Sequence, residues 1–216
     1  MAQATAGVVG SGIVGETLAN GLLGLGYQVM RGTRDPGKLA DWTRAAGDRA
    51  RVGTPGEAAR FGALVILAVK GSGAESTVRD IADALANKTV IDTTNPIADA
   101  PPDQGVLRYF TDANESLMER LQALAPGARF VKAFSSVGNA LMVNPVLGGV
   151  TPTMFICGND AGAKTEVREL LTRFGWETED MGAAPAARAI EPLCILWCIP
   201  GFLRNEWSHA FKLLKR

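Results

Sequence analysis

The sequence predicts an α/β fold in which helices cover both faces of a mostly parallel sheet. Two observations support this prediction. Strand-like and helix-like patterns alternate along most of the chain, and residues 64–69 form a continuous apolar run that is typical of a strand buried on both faces. The 216 residues, of which 47% are hydrophobic, are enough to bury one full core.

The first part of the chain is predicted to alternate strands and helices. Short apolar runs are assigned to strands, and longer patterns with apolar residues every three or four positions are assigned to helices. The predicted elements are strand 4–9, helix 14–25, strand 27–32, helix 36–46, strand 50–52, helix 55–61, strand 64–69, helix 75–86 and strand 89–92. Residues 93–109 contain three prolines and are too long for a simple connection, so we expect a functional loop there.

The second part of the chain is predicted to contain shorter elements and a helical end. The predicted elements are helix 116–124, strand 130–133, a short helix 139–142, strand 153–157, helix 161–174, strand 177–180 and two closing helical segments, 185–198 and 202–214. The break between the closing segments is placed at Pro200-Gly201, because proline disrupts helix interiors.

A glycine motif lies between the first predicted strand and the first predicted helix. Its residues, Gly10, Ser11, Gly12, Ile13, Val14 and Gly15, have the spacing G-x-G-x-x-G. The spacing alone is weak evidence, but between a strand and a helix it indicates a Rossmann-type, doubly wound fold. Its glycines allow a tight turn, close approach of a pyrophosphate and close helix packing, and the helix N-terminus favours negative charge. We predict that these residues bind a dinucleotide.

The residues after the second predicted strand favour NADP(H) over NAD(H). An NAD site typically has an acid here for the ribose 2′-hydroxyl, whereas an NADP site has a cation for the 2′-phosphate. Asp35 directly precedes a proline, which is typical of a helix N-cap. Thr33, Arg34 and Lys38 offer a hydroxyl, a bidentate guanidinium and a point charge. The alternative is that Arg34 and Lys38 are ordinary surface cations.

Further site residues are expected where the later strands end, because ligands of open α/β sheets lie beyond the carboxyl ends of the strands. We predict additional cofactor contacts at Val69, Lys70, Asn95 and Ala133. We predict that small side chains position the reacting rings, namely those of Thr94, Asn95, Ser135 and Ser136. No acid or base catalyst is assigned among them. For any one of these serines and threonines alone, ordinary turn chemistry is the alternative.

The sequence also argues against several function classes. Lys and Arg together number 22, equal to Asp and Glu, so no basic excess indicates a nucleic-acid partner. The pattern shows no apolar run long enough to predict a membrane span, and no secretory leader is recognised. The three cysteines, an odd number, fit a reduced cytoplasmic compartment. We expect no metal site, including at Cys194 and Cys198.

Two features near the end of the chain are interpreted as structural. His209 lies between aromatic residues and is expected to pack or to lie at the surface and not to act in catalysis. If the substrate is a carbonyl or an imine, a proton donor is needed, and Lys70 and Lys132 are the alternative donors to His209. Residues 190–202 are apolar almost all round, so a partner subunit is expected to cover them.

Several segments resemble the coenzyme F-420-dependent (8-hydroxy-5-deazaflavin-dependent) family of NADP oxidoreductases, in its bacterial branch. The segments are 10–15, 32–39, 90–96, 131–137, 155–160, 187–193 and 210–214. The resemblance implies a homodimeric Rossmann protein that passes hydride between NADPH and a deazaflavin. It also implies that Thr33, Arg34 and Lys38 bind the 2′-phosphate. A related domain recurs on the cytoplasmic side of membrane ferric reductases that use flavin.

The segment after the sixth strand departs from the family pattern and leaves the acceptor open. Similar bacterial sequences read Asn-Thr where this chain has Ser135-Ser136. A deazaflavin or flavin is the expected hydride acceptor, and a quinone, a small carbonyl or an imine are the alternatives. A non-catalytic sensor that binds NADP(H) is the alternative from a different class. We expect residues 1–150 to bind NADP(H) and residues 151–216 to complete the acceptor site and a dimer interface.

Overall fold

Six parallel strands form the central sheet of the protein. The computed structural model describes residues 4–216. Residues 1–3 lie outside this range, and the prediction of no secretory leader rests partly on them. The strands are β1 (Thr5–Val9), β2 (Gln28–Gly32), β3 (Ala50–Gly53), β4 (Leu64–Leu67), β5 (Thr89–Asp92) and β6 (Arg129–Lys132). Their order, β3-β2-β1-β4-β5-β6, is that of a Rossmann sheet. The predicted fold class is confirmed.

Helices cover both faces of this sheet. They are α1 (Ile13–Gly24), α2 (Ala40–Ala46), α3 (Pro55–Phe61), α4 (Ala74–Leu85) and α5 (Leu117–Leu124). Thr54 and Ser116 each start a helix with a capping box, in which the side chain accepts from the third helical N–H and a glutamate reaches back. Because the sheet order reverses between β1 and β4, a crevice opens at the carboxyl ends of the strands.

A second, two-stranded parallel sheet follows the central one. It pairs β7 (Thr153–Ile156) with β8 (Glu177–Asp180), and α6 (Ala161–Arg173) connects them. Lys132 N donates to Cys157 O at 2.9 Å, which joins the end of β6 to the end of β7. Phe174 lies in the same hydrophobic core as Leu18 of α1. Core residues from both sides of residue 150 pack together. The division of the chain into two domains at this residue stays a prediction.

The closing helices differ from the prediction. The observed helices are α7 (Ala187–Ile190) and α8 (Leu193–Arg204), so Pro200 lies inside a helix, and the predicted helix over residues 202–214 is wrong. Helix α8 is capped at its C-terminus by Asn205, whose φ is 55°. A Cβ on Gly201 would lie 2.3 Å from the Trp207 ring, so the tail folds back onto the helix. The tail then runs beside β7, where Thr153 N donates to Phe211 O at 2.9 Å.

One stretch of the described residues has the length and composition of a membrane-crossing helix. It spans Ala184–Arg204, has a hydropathy of 1.4 and is 39% buried in the protein. Core helices of water-soluble proteins meet the same test, so this single stretch is weak evidence for a membrane span.

Candidate dinucleotide and acceptor site

The three glycines of the motif occupy different environments. A Cβ on Gly10, whose φ is +142°, would lie 2.2 Å from the Ala68 carbonyl oxygen. A Cβ on Gly15 would lie 2.9 Å from the Gly10 carbonyl oxygen, because α1 packs closely on the turn. A Cβ on Gly12 would meet nothing within 4 Å. Gly10 and Gly15 are therefore needed by the fold, whereas Gly12 leaves space in front of the N-terminus of α1.

That open space belongs to a cleft at the carboxyl ends of the strands. The cleft has a volume of about 400 Å³, within the usual range for small-molecule sites. Seven of the predicted cofactor contacts line it, namely Gly10, Ser11, Gly12, Thr33, Arg34, Val69 and Lys70. The cradle at Gly12 fits a pyrophosphate, because a backbone without a side chain and the N–H groups of the first helical turn face the cleft.

Arg34 and Lys38 line two clefts that meet at Ser11. Arg34 lines the main cleft, Lys38 lines an adjoining one, and Ser11 lines both. Neither cation forms an ion pair with any residue in the range 4–216. Asp35 is the N-cap of the following turn and accepts from Gly37 N at 3.2 Å, which confirms the cap interpretation. Two uncommitted cations beside the predicted ribose position are what an added phosphate requires.

A third cation, Arg31, lies beneath the glycine turn. It is fully buried in β2, and its Nη2 donates to the Gly12 carbonyl at 3.1 Å while Nη1 donates to Glu16 at 3.2 Å. Its guanidinium carbon lies 4.8 Å from the centre of the Trp42 ring. Burial lowers the pKa of Arg31, and the hydrogen bond and charge of Glu16 counteract this. Arg31 therefore supports the turn from below and does not line the cleft.

The turns after β4, β5 and β6 are joined to one another around Asn95. Thr93 Oγ1 donates to Leu67 O at 3.0 Å, and Asn95 Nδ2 donates to the Ser135 carbonyl at 3.3 Å. A Cβ on Gly71 would lie 1.9 Å from the Asn95 carbonyl oxygen, so the first and second turns are in close contact. The structure thus brings together two of the predicted ring-positioning residues, Asn95 and Ser135.

The turn after β6 has an unusual backbone. Phe134 has a φ of +62°, which is costly for a bulky residue, and its buried ring packs 6.5 Å from that of Phe174. Ser135 and Ser136 follow and are only 3% and 5% exposed. Within residues 4–216, Ser135 Oγ and Asn95 Oδ1 are buried and have no hydrogen-bond partner. This strained turn sets the positions of both serines.

A cluster of buried charges lies behind these turns, and no sequence pattern predicted it. Lys132 Nζ lies 2.7 Å from Asp92 Oδ2, 2.8 Å from Glu191 Oε1 and 2.7 Å from the Thr94 carbonyl oxygen. We call Lys132, Asp92 and Glu191 the buried charge cluster. Burial would lower the pKa of Lys132, but Asp92 and Glu191 outweigh it and raise that pKa. The ammonium is therefore fully committed and is not available as a proton donor to a substrate.

The two carboxylates of the buried charge cluster also bind backbone groups. Glu191 accepts from Leu117 N and Met118 N at the start of α5, each at 3.0 Å. Asp92 Oδ1 accepts from Thr94 N at 2.9 Å and from Thr94 Oγ1 at 2.7 Å. The side chain of Thr94 is thus held by Asp92. The sequence could have indicated part of this cluster, because Asp92 and Lys132 stand at the ends of buried strands. Their partner Glu191 is distant in the chain.

The other predicted site residues lie at the edges of the cleft or away from it. Ile13 is exposed at the start of α1, and Val14 packs against the core. Ala133 is fully buried. Lys70 forms an ion pair with Asp99 of the irregular segment, which places this segment beside the cleft. Contacts of these residues with a cofactor stay predictions.

The residues interpreted as structural occupy packing positions. The His209 ring stacks on Trp197 at 5.0 Å, and each residue is hydrogen-bonded to the backbone of the other. Cys194 is hydrogen-bonded to Cys198, which lowers the pKa of Cys194. Burial raises the pKa of Cys157 to about 12. Across residues 4–216, no three His, Cys, Asp or Glu side chains are grouped closely enough to hold a metal ion.

The fold and cleft define a Rossmann-type dinucleotide-binding protein, and comparisons with known proteins narrow this class. Residues 5–96 match the family described as NADP oxidoreductase, coenzyme F420-dependent. A solved structure from Arthrobacter sp. FB24, named for F420-dependent NADP reduction, has 29% identity and a TM-score of 0.90, and the match covers 99% of this chain and 100% of that one. The resemblance expected from the motifs is confirmed.

Two curated relatives share parts of the chain. Metalloreductase STEAP3 of Rattus norvegicus is 31% identical over 91% of this chain, and the F420-dependent NADP reductase of Methanocaldococcus jannaschii is 29% identical over 63% of it. The chain spans only 38% of the length of the first and 61% of the second. The matches are thus to proteins and a family named as reductases, most of them NADP-linked, in agreement with a cleft that fits NADP(H).

Proposed function

We propose that this protein transfers hydride between NADP(H) and a deazaflavin or flavin-type acceptor. The observation that carries the proposal is the pair of features at the two ends of the strand-end crevice. At one end, uncommitted Arg34 lines the same cleft as the open Gly12 cradle, and uncommitted Lys38 lines the adjoining cleft. At the other end, Asn95 and the Ser135 carbonyl join two turns beside which a flat ring can lie.

The reaction requires little from the protein beyond positioning. NADPH supplies the hydride, and proximity and orientation alone contribute about 7 to 11 kcal/mol when two reactants are held near contact. In this chain, Gly12 and the N-terminus of α1 bind the pyrophosphate, Arg34 and Lys38 bind the 2′-phosphate, and the turns at Thr94–Asn95 and Ser135–Ser136 orient the nicotinamide and exclude water.

Reduction of a carbonyl or an imine fits less well, because it needs a proton donor near the acceptor. Two of the donors considered from the sequence are engaged elsewhere, and the third, Lys70, is paired at the edge of the cleft. Lys132 is bound by two carboxylates and a carbonyl, Lys70 pairs with Asp99, and His209 stacks on Trp197. A transfer between two ring systems needs no such group.

The preference between a deazaflavin and a flavin rests on the relatives. The names of the family and of the Methanocaldococcus jannaschii enzyme point to F420, whereas the STEAP3 relative is named as a metalloreductase. A deazaflavin is the first candidate, because the match to the Arthrobacter structure covers both chains almost completely. Ser135 and Ser136 are the residues that we expect to adjust the acceptor pocket.

We also infer a cytoplasmic homodimer. Leu196, Phe202 and Leu203 of α8 are 54%, 43% and 56% exposed, so the outer side of this helix is apolar. A second copy of the chain would cover this side, and a mass of two chains in analytical ultracentrifugation would support the assignment.

Steady-state oxidation of NADPH tests the proposed function. The protein is mixed with NADPH and, in separate reactions, with an 8-hydroxy-5-deazaflavin, FMN, a quinone, an imine and a carbonyl compound, while absorbance of NADPH is followed. Turnover with the deazaflavin or FMN supports the proposal. Turnover only with the imine or carbonyl contradicts it, and tight binding of NADPH without turnover supports the sensor instead. The Gly12→Val variant serves as the control for contaminating activity.

A further inference from the structure

The buried charge cluster connects three separate parts of the chain. Asp92 ends β5, Lys132 ends β6, and Glu191 lies in the turn between α7 and α8. The side chains of all three are at most 2% exposed. Glu191 also receives two N–H groups from the start of α5, so the C-terminal helices are fixed to the strand ends by this cluster.

Lys132 links this cluster to the predicted nicotinamide slot. Its Nζ donates to the carbonyl of Thr94 at 2.7 Å, and the neighbouring residue, Asn95, donates to the carbonyl of Ser135 at 3.3 Å. One ammonium group therefore holds the backbone of the turn that joins the two walls of the slot. Loss of that group frees the Thr94 carbonyl and leaves Asp92 and Glu191 facing each other without a cation.

A buried charge cluster is weak evidence of added stability. Replacing buried ion pairs with well-packed apolar side chains is often neutral or stabilising, so such clusters are better explained by the geometry that they impose. The neighbouring Phe134 has a strained φ of +62°, which also indicates that this region is held in a defined shape.

We propose that Lys132 is a positioning residue for the nicotinamide half of NADPH: by binding the Thr94 carbonyl between Asp92 and Glu191, it fixes the turn at Asn95 against which the nicotinamide lies. The proposal rests on the proposed function in one respect, that the nicotinamide occupies the slot between the turns after β5 and β6. Lys132 is fully buried, so it acts through Thr94 and not by contact with the cofactor or the acceptor.

The test compares Lys132→Met with Lys88→Met. Lys88 is the control because its Nζ, like that of Lys132, has three partners and donates to backbone carbonyl oxygen; its partners are the carbonyls of Ala59, Arg60 and Gly62, at 2.6, 2.9 and 2.7 Å. It precedes β5 and so lies at the opposite end of the sheet from the slot. Both variants lose bonds to carbonyl groups, but only Lys132→Met changes the turn at Thr94.

Three quantities are measured for each variant. They are the dissociation constant of NADPH, the fluorescence emission of the bound dihydronicotinamide, and the single-turnover rate of NADPH oxidation by the best acceptor. For Lys132→Met we expect a dissociation constant within about threefold of the wild type, an emission shifted towards that of free NADPH, and a rate lower by about 100-fold. For Lys88→Met we expect no change in emission or rate.

A double variant separates positioning from simple loss of stability. Glu191→Gln combined with Lys132→Met removes one of the uncompensated carboxylates and so recovers part of the stability. It leaves the bonds of Asp92 to Thr94 in place and does not restore the bond to the Thr94 carbonyl. Positioning predicts that emission and rate stay abnormal in this variant. Their return to wild-type values with recovered stability contradicts the proposal.

The emission measurement needs no acceptor, so the two proposals fail in different ways. Normal emission and rate in Lys132→Met overturn the role of Lys132 and leave the function intact. Abnormal emission together with no turnover by any acceptor, even in the wild type, supports Lys132 and overturns the proposed reaction. If Lys132→Met does not fold, the double variant alone decides between the outcomes.

Discussion

Gly12→Val separates cofactor binding from folding more cleanly than any other change in the glycine motif. Gly12 has a φ of −78° and a ψ of 176°, a region that valine readily adopts. A Cβ at this position meets nothing within 4 Å. Since the residue is the N-cap of α1, the loss of glycine is expected to lower the free energy of unfolding by about 1 kcal/mol.

The effect on binding is expected to be much larger. The valine side chain would fill the space that the pyrophosphate needs, and a displaced pyrophosphate loses its contacts with the first helical turn. We expect the dissociation constants of NADPH and NADH to rise by at least about 100-fold, which corresponds to about 2.7 kcal/mol. NADPH at 100 times its dissociation constant should stabilise the wild type by about 2.7 kcal/mol and the variant hardly at all.

Gly10→Ala is the matched control within the same motif. Gly10 has a φ of +142°, and its Cβ would lie 2.2 Å from the Ala68 carbonyl oxygen, so this variant should lose about 3 kcal/mol of stability. Isothermal titration calorimetry measures binding, and urea unfolding measures stability. Affinity in Gly12→Val within threefold of the wild type, or a Gly10→Ala protein as stable as Gly12→Val, would refute the reasoning.

Three further changes test neighbouring parts of the account. Arg34→Ala should weaken NADPH by about 2 to 3 kcal/mol in calorimetric titration and leave NADH unchanged, because only NADPH carries the 2′-phosphate. Arg31→Met should weaken the binding of both nucleotides about tenfold in the same titration. Arg31 supports the glycine turn through the Gly12 carbonyl, and both nucleotides depend on that turn. Glu119→Gln should cost about 1 kcal/mol at neutral pH in urea unfolding, since its partner Arg188 is 42% exposed.

The Glu119 prediction has a definite pH dependence. The hydrogen bond from Arg188 lowers the pKa of Glu119 from 4.5 to about 2, so the stabilisation is present above pH 4.5 and is lost as the pH falls through about 2. The difference between wild type and Glu119→Gln should therefore disappear in that range. A stability difference that grows on acidification contradicts the role given to the Glu119–Arg188 pair. Equal losses of NADPH and NADH affinity in Arg34→Ala contradict the role of Arg34, and a selective loss of NADPH affinity in Arg31→Met contradicts the role of Arg31.

The strands of both sheets were predictable from local patterns. Residues 89–92 and 177–180 were assigned correctly, and other strand ends differ by one or two residues, as with the predicted strand 64–69 against Leu64–Leu67. The tail after Arg204 was not predictable, because the contact of Trp207 with Gly201 and the pairing of Phe211 with Thr153 are tertiary interactions that override a helix-like pattern.

The two ends of the candidate site were not equally visible in the sequence. Gly12 and Arg34 stand out because their spacing from one strand end carries the information. The buried charge cluster was missed because Asp92, Lys132 and Glu191 are far apart in the chain and meet only when three elements pack. Sequence patterns report on local geometry, whereas a buried ion cluster depends on the assembled fold.

Calorimetric titration of the unaltered protein with NADP⁺ and NAD⁺, side by side at one salt concentration, tests the central claim most directly. The account predicts that both nucleotides bind in the cleft and that NADP⁺ binds at least about tenfold more tightly, since Arg34 and Lys38 are free to receive its additional phosphate. Equal affinities, or no binding of either nucleotide, would contradict it.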